Sequence, residues 1–457
     1  MKKKIELEER IYMYREKKKA AFHNLGCKVN AYETEAMAQS LRERGYEIMD
    51  FKPGADVYII NTCTVTNIAD RKSRQMLHKA KKMNPGAVVV AVGCYVQAAG
   101  EELLKDEAID IIIGNNRKSI LPDILEEYFA SHTEKVNVIE DLSQPCQYEA
   151  MNMTTVTDHT RAFIKIQDGC NQFCTYCIIP YSRGRIRSRD IKDIKDEVMV
   201  LAEKGYKEIV LTGIHLSSYG KDFKDKDITL KDVVCEMSKI EGIERIRLGS
   251  LEQGIITDEF VKAMSGTDKF CPHFHLSLQS GCEGVLKRMN RHYTPSGYME
   301  KCTLIRKYFD NPAITTDVIV GFPGETEQEF NETKKFLESV GFAEMHIFKY
   351  SKRKGTAAAA MENQIDDRVQ ARRSDELIEL EKKLKNKYRQ SYIGKNKDIL
   401  FEEKVIINGE EYFVGHTKEY IKVAVSSDAD ICNKIVCVKI KSLLNAEILL
   451  AQLQEIY

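Results

Sequence analysis

Cys170-Asn171-Gln172-Phe173-Cys174-Thr175-Tyr176-Cys177 is a Cx3Cx2C run, offering three thiolates to one metal centre with no fourth nearby. A structural zinc site wants four closed ligands, whereas an iron–sulfur cluster held by three cysteines keeps one iron open for a substrate or cofactor. The alternative readings are a zinc knuckle or a group of free cysteines. The run follows a strand-like segment over 163–167. That places it in a βα loop, at the end of a barrel where active residues gather.

Further strand-like segments over 208–212, 245–249, 274–278, 313–319 and 344–349 alternate with helical patterns. Six such repeats predict a partial (β/α)6 barrel over 161–390, open rather than closed. Upstream, strands over 20–24, 57–61, 88–92 and 109–113 alternate with helices over 34–44 and 69–83. Alternation of that kind predicts a parallel α/β sheet domain over 19–130. Residues 131–160 are polar and aperiodic and read as a linker, and 1–18 as a charged extension. After a charged helix over 366–392, short strands over 399–403, 412–417, 421–425 and 435–440 predict a small β-barrel within 391–457.

A chain of 457 residues is too long for one hydrophobic core. Lys+Arg 69 against Asp+Glu 69 leaves no global field toward a polyanion, so any nucleic-acid contact must come from local patches. Residues 372–398 form one such patch, with nine Lys or Arg against five Asp or Glu. Thirteen cysteines in a chain of this size do not form the disulfide framework of a small secreted domain, and they point to a reducing compartment. The first residues have no apolar core of a secretory signal, and no apolar run approaches the length of a bilayer span. A cytoplasmic protein without a membrane partner is expected.

Three other cysteines share a local setting: Gly26-Cys27-Lys28, Asn61-Thr62-Cys63-Thr64 and Gly93-Cys94-Tyr95. Each follows a predicted strand, and strand ends of a parallel sheet form one rim, so Cys27, Cys63 and Cys94 could converge on a second three-thiolate site. The alternative is three free cysteines, buried or partly exposed. Cys146, Cys235, Cys271, Cys282, Cys302, Cys432 and Cys437 show no such relation and read as structural. Arg183, Arg185, Arg187 and Arg189 alternate, so in an extended segment all four share one face, suited to phosphates or a carboxylate. Otherwise they form a solvated edge.

The Cx3Cx2C run, with Tyr176 one before its last cysteine, resembles the radical S-adenosylmethionine (SAM) superfamily. The resemblance implies that the open iron chelates the amino and carboxylate groups of SAM. It also implies a deoxyadenosyl radical, made by electron transfer into the sulfonium. Segments that match the superfamily's SAM-binding places are Leu211-Thr212-Gly213-Ile214-His215, Gly249-Ser250-Leu251-Glu252 and Val320-Gly321-Phe322-Pro323-Gly324-Glu325-Thr326. They nominate Gly213, Glu252 and Gly321, beside Tyr176 and Arg187, as SAM contacts. For Gly321 the other reading is a strand-to-helix turn capped by Thr326.

Cys27, Cys63 and Cys94, the second triad, the segment His275-Leu276-Ser277-Leu278-Gln279-Ser280-Gly281-Cys282 and the terminal barrel, in this order, resemble the methylthiotransferases. That family has an N-terminal cluster domain, a radical SAM barrel and a terminal TRAM domain, an OB-like RNA-binding barrel. The resemblance implies two [4Fe-4S] clusters and SAM in two roles, as methyl donor and as oxidant, and adds Gln279 to the cofactor contacts. The cluster on Cys170, Cys174 and Cys177 would initiate the radical, and that on Cys27, Cys63 and Cys94 would deliver sulfur to C2 of an adenine. Leu25-Gly26-Cys27-Lys28-Val29-Asn30 and the stretch from Cys177 to Arg189 resemble the branch acting on N6-threonylcarbamoyladenosine at position 37 of tRNA. Other branches act on isopentenyladenosine or on a ribosomal-protein aspartate, and a zinc-bearing RNA-binding protein without catalysis is the rival from another class. Implied partners are the tRNA anticodon stem-loop, held by the terminal barrel and the basic helix, and an electron donor such as flavodoxin or ferredoxin. The sulfur source is not implied. Cys282, where the family often has a small hydroxyl residue, and residues 1–18 depart from the pattern.

Overall fold

A computed structural model describes residues 17–131, 135–151, 153 and 160–454, so all but two residues of the expected extension lie outside it. The chain divides into two compact units. The first takes Met1–Ser143, Glu149–Met153 and Tyr181–Arg183, and the second takes Gln144–Tyr148, Thr154–Pro180 and Gly184–Tyr457.

The first unit is built on a parallel sheet of β1 (Lys19–Asn24), β2 (Glu47–Met49), β3 (Val57–Thr62), β4 (Val88–Gly93), β5 (Ile111–Ile113) and β6 (Val136–Val138), in the order β2-β1-β3-β4-β5-β6. β3 and β4 are buried at every residue, as continuous apolar runs in a two-sided sheet must be. Two strands escaped the sequence reading, β2 and β6, each only three residues long. β6 lies inside the stretch expected as linker and pairs with β5. The first helix spans Lys28–Glu43, starting well before the expected position 34. Its first turn is held by polar contacts that hydropathy does not register: buried Asn30 donates to Leu25 O at 2.9 Å and Thr62 O at 3.0 Å.

In the second unit, β7 (Arg161–Asp168), β8 (Arg187–Ser188), β9 (Glu208–Gly213), β10 (Arg245–Leu248), β11 (His273–His275), β12 (Ala313–Val320) and β13 (Glu344–Lys349) form two sheets, β10-β9-β7-β8 and β11-β12-β13. Parallel bridges Ile246↔Phe270 and Leu251↔Leu276 carry the pairing from one to the other. Six parallel strands, with β8 antiparallel at the edge, make the partial (β/α)6 barrel the repeats predicted. Ile164, Ile166, Ile209, Leu211, Ile246, Phe274, Ile314 and Val318 pack with the helices in one core. Side chains alternate along a strand, so the intervening residues face the concave side.

The N-terminal end of that concave side is charged. Glu208, fully buried, receives Arg161 Nε at 2.8 Å and Arg247 Nε at 2.9 Å, with Arg245 Nη1 at 3.9 Å. The same arginines reach the terminal domain, a closed barrel of β14 (Asn396–Ile407), β15 (Glu410–His416), β16 (Lys422–Val425), β17 (Ile435–Leu443) and β18 (Leu449–Leu453) in the order β14-β15-β16-β18-β17. Arg245 donates to His416 O and Asp398 O, both at 2.8 Å, Arg247 to Lys418 O at 2.8 Å, and Arg161 to Glu402 at 2.6 Å. The Tyr420 ring lies 4.6 Å from the Arg247 guanidinium and stacks on His416.

The helix Asp367–Gln390 corrects the reading of a free basic patch. Arg373 pairs with Glu325 at 2.8 Å, Arg389 with Glu447 at 2.9 Å, Lys385 with Glu344 at 2.7 Å, Arg372 with Glu327 at 2.7 Å and Lys382 with Glu379 at 2.6 Å. Most of those partners are remote in sequence, so a local charge count overstates what is available to phosphate.

Burial alone would raise the Glu208 carboxyl, but Arg247, Arg161 and Arg245 hold it down to about 2. Its stabilising charge is therefore complete above the ordinary glutamate range and is lost as pH falls toward that value. Glu208→Gln leaves buried arginines without a counter-charge, and chemical denaturation should report a loss of about 3–5 kcal/mol. A change within about 1 kcal/mol would contradict this role.

Candidate metal centres

The first triad sits on the rim of three adjacent strands. Cys27 precedes the helix that follows β1, Cys63 follows β3, and Cys94 opens the helix after β4. Gly26, at φ +126°, brings the chain so close to Cys63 that an added Cβ would stand 3.0 Å from its Cβ and 3.2 Å from its Sγ. Cys63 and Cys94 are buried and Cys27 is exposed.

Behind Cys94 lies a buried charge network. Arg183 donates from Nε to Cys94 Sγ at 3.2 Å, from Nη1 to Glu33 at 2.6 Å and from Nη2 to Asn30 Oδ1 at 2.6 Å. Lys118 also pairs with Glu33, and Asn115 Nδ2 lies 3.5 Å from Cys94 Sγ. One carboxylate thus answers two cations, all nearly inaccessible to solvent.

The arginine run is therefore not one face. Arg183 ends a short helix, Gly184 turns the chain at φ +73°, and only Arg187 and Ser188 are extended. Arg185 lies over the Phe173 ring at 4.8 Å, Arg187 is buried 3.3 Å from Asp168, and Arg189 is buried against Glu197. The expectation that Arg187 and its neighbours jointly face a phosphate or the SAM carboxylate loses its geometric basis.

The second triad lies past β7. Gly169, at φ +71°, passes so near the Arg185 carbonyl that a Cβ would stand 1.8 Å from its oxygen. The loop is fixed by Cys170 N to Gly184 O at 3.0 Å, Thr175 N to Met289 O at 3.1 Å and Asn290 Nδ2 to Phe173 O at 3.2 Å. Arg291 Nη1 points at Cys174 Sγ from 3.2 Å, and its Nη2 pairs with Glu252 at 3.1 Å. Glu252 also meets His215 Nε2 at 3.0 Å and Gln172 Nε2 at 3.1 Å. Glu252 is thus beside the cysteine loop. Arg291, Arg183 and Glu33 were not singled out from sequence for these places, because nothing local marks an arginine as the partner of a distant sulfur.

The remaining nominated residues separate. Tyr176 packs by Cys282, Val285, Phe322 and Tyr350, and burial pushes its hydroxyl up. Gln279 is buried with φ 68°, unusual for a side-chain-bearing residue, and bridges to Val318. Gly213 lies against the Gln167 side chain, and Gly321 makes room for Gln370 of the long helix while its N–H donates to Glu325 at 2.7 Å. Neither glycine faces open space for a ligand at its Cα. Cys282, buried in the same apolar cluster as Tyr176, is a small core residue.

Burial pushes the Cys63 and Cys170 thiols up to about 11 and Cys177 to about 12. Near neutrality they would keep their protons, and a bound metal is what would make them thiolates.

Residues 19–114 match the model described as Uncharacterized protein family UPF0004, and residues 164–337 that of the Radical SAM superfamily. The chain is 44% identical over 422 residues to the threonylcarbamoyladenosine tRNA methylthiotransferase MtaB of Bacillus subtilis, covering 92% of this chain and 93% of the relative. It is 44% identical to the enzyme of the same name from Aquifex aeolicus (83% and 90% covered). A tRNA-2-methylthio-N(6)-dimethylallyladenosine synthase of Thermoanaerobacter sp. is 39% identical (82% and 80% covered). Among solved structures, the radical S-adenosylmethionine methyltransferase TsrM of Kitasatospora setae, with cobalamin and a [4Fe-4S] cluster bound, shares the fold at TM-score 0.54 and 14% identity, over 73% of this chain and 75% of that one.

The two arginine-to-sulfur contacts carry a measurable consequence, because hydrogen bonds to ligand sulfurs help set a cluster's reduction potential. Arg183→Gln should lower the midpoint potential of one cluster, and Arg291→Gln that of the other, in an EPR-monitored redox titration. Unchanged potentials in both variants would show that these contacts do not act on the clusters.

Proposed function

The chain belongs to the radical SAM methylthiotransferases, and from that membership we propose that it replaces the C2 hydrogen of N6-threonylcarbamoyladenosine-37 in tRNA with a methylthio group. The observation that carries the substrate is the near full-length identity to the Bacillus and Aquifex enzymes named for threonylcarbamoyladenosine, above that to the dimethylallyladenosine synthase.

Cys170, Cys174 and Cys177 would hold one [4Fe-4S] cluster, and Cys27, Cys63 and Cys94 another. When bound, they supply the electron that cleaves SAM and the site from which sulfur is delivered. The chain's own contribution is positional. Arg291 and Glu252 fix the second cysteine loop against His215, and Tyr176, Gly213, Gln279 and Gly321 remain our candidates for the SAM surroundings. Arg183 and Lys118 supply the buried positive charge that an anionic centre beside Cys94 requires.

In this reading residues 19–130 form the cluster domain, 161–390 the radical SAM domain and 391–457 the terminal barrel. Lys383, Lys387, Lys439 and Lys441 are exposed, and among the described residues none has an ion-pair partner. These four are the better candidates for phosphate contacts with the anticodon stem-loop. An electron donor of the flavodoxin or ferredoxin kind and a cytoplasmic setting belong to the same proposal. Among the described residues no helix is long and apolar enough to cross a membrane.

Mass spectrometry of tRNA nucleosides from cells with and without the gene tests the substrate. Deletion should convert 2-methylthio-threonylcarbamoyladenosine to its unthiolated parent and leave any 2-methylthio-isopentenyladenosine unchanged. Loss of the isopentenyl product instead would assign the chain to the other tRNA branch, and no change in either would reject both.

A further inference from the structure

The concave face of the partial barrel carries a polar group that none of the roles above uses. Phe274 on β11, Ile314 and Val318 on β12, and Met345 on β13 belong to the helix-covered core. Strand alternation therefore turns His275, Thr315, Asp317, His346 and Phe348 to the opposite, helix-free face. The register sets His275 beside Thr315 and Asp317 beside His346.

His275 is fixed from both ring nitrogens: Nδ1 lies 2.9 Å from Thr315 Oγ1 and Nε2 lies 3.2 Å from Asp317 Oδ2. The His346 ring is 5.8 Å from that of His275, and ligand atoms of His275, Asp317 and His346 all fall within 4.8 Å of one another. A closed barrel would fill this interior with apolar side chains. Here His346 is exposed in mid-strand, and Phe348, two residues nearer the strand's C-terminal end, is 46% exposed. On the N-terminal side the next inward residue of β11 is His273, whose ring lies 5.5 Å from that of Tyr420.

We propose that His275, Asp317 and His346 form the subsite that reads the N6 substituent of the target adenosine, selecting one that bears a carboxylate and a hydroxyl over a branched hydrocarbon. The inference rests on the reading of the chain as a tRNA-adenosine methylthiotransferase and adds what discriminates among its substrates. Phe348 offers an aromatic face on which a purine can stack, and a substituent from N6 would then extend down the same strand face to the triad. His346 presents an N–H donor to a carboxylate, while His275, held on both ring nitrogens, positions Asp317, which accepts from a hydroxyl or urea N–H. An isopentenyl group in the same place would strip water from these polar side chains and give nothing back, which is how a polar site rejects an apolar analogue.

The test is a competition. The full-length protein with its clusters reconstituted is given equal amounts of tRNA carrying threonylcarbamoyladenosine and tRNA carrying isopentenyladenosine, and the ratio of methylthiolated products is measured. A ratio cancels any loss of folding or cluster content common to both reactions. His346→Ala should shift the ratio away from the threonylcarbamoyl product by about 10- to 100-fold, the loss of one or two hydrogen bonds to a charged group, and His275→Gln, which only releases Asp317, should shift it the same way by less. His346→Gln, which keeps an N–H donor, should recover part of the shift. Ratios within about twofold of wild type in both His346→Ala and His275→Gln would overturn the inference while leaving the substrate reading intact, whereas a wild-type protein that makes no threonylcarbamoyl product fails on the reading itself. The same three side chains are spaced to hold a divalent cation. If EDTA abolishes the wild-type preference with the clusters retained, the triad acts through a metal and the direct contact proposed here is wrong.

Discussion

One buried carboxylate, Glu208, determines how the larger unit is put together. It stands at the start of β9 between arginines from the neighbouring strands β7 and β10, and those arginines spend their remaining N–H groups on the terminal barrel. Without Glu208, Arg245 and Arg247 would lie in a dry layer with backbone carbonyls as their acceptors, while Arg161 would keep Glu402, a costly arrangement. With it, the N-terminal end of the partial barrel is closed by polar contacts instead of a packed apolar plug. The C-terminal end stays open, and there the loops after β7, β9, β10 and β12 gather the cysteine triad, His215, Glu252 and the glycine-rich turn. The terminal barrel therefore has a structural part as well as any binding one, since removing it would expose the charged layer.

The two cysteine triads repeat one physical scheme in unrelated settings. Each lies at the C-terminal end of parallel strands. In each, one arginine directs an N–H to a cysteine sulfur from 3.2 Å and is anchored by a glutamate: Arg183 with Glu33 at Cys94, Arg291 with Glu252 at Cys174. The sets differ in how they are assembled. Cys170, Cys174 and Cys177 come from one short loop, whereas Cys27, Cys63 and Cys94 come from three loops that only the folded sheet brings together. The set of Cys27, Cys63 and Cys94 is thus more tightly coupled to folding.

Much of this was legible in the chain because the signals were local or periodic. The Cx3Cx2C run, the apolar strands β3 and β4, the six βα repeats and the barrel strands could be read in place, and the three upstream cysteines declared themselves by each following a strand. What failed depended on contacts between residues far apart. The alternating arginines 183–189 looked like one face of an extended segment, but Gly184 breaks it and Glu33, Asp168 and Glu197 draw three of the side chains inward. The basic helix looked free because Glu325, Glu344 and Glu447 lie elsewhere in sequence. Strands as short as β2 and β6 carry too few residues to show a period.

The central claim is that one chain holds two three-cysteine clusters with divided tasks, and iron counting on triad variants, read together with SAM cleavage, tests it most directly. Anaerobically reconstituted wild-type protein should carry about eight irons per chain. Replacing Cys170, Cys174 and Cys177 by Ala should leave about four and abolish formation of 5′-deoxyadenosine. Replacing Cys27, Cys63 and Cys94 should also leave about four, with SAM still cleaved and no methylthiolated nucleoside formed. Zinc in place of iron, or methylthiolation surviving loss of the Cys27, Cys63 and Cys94 triad, would contradict the account.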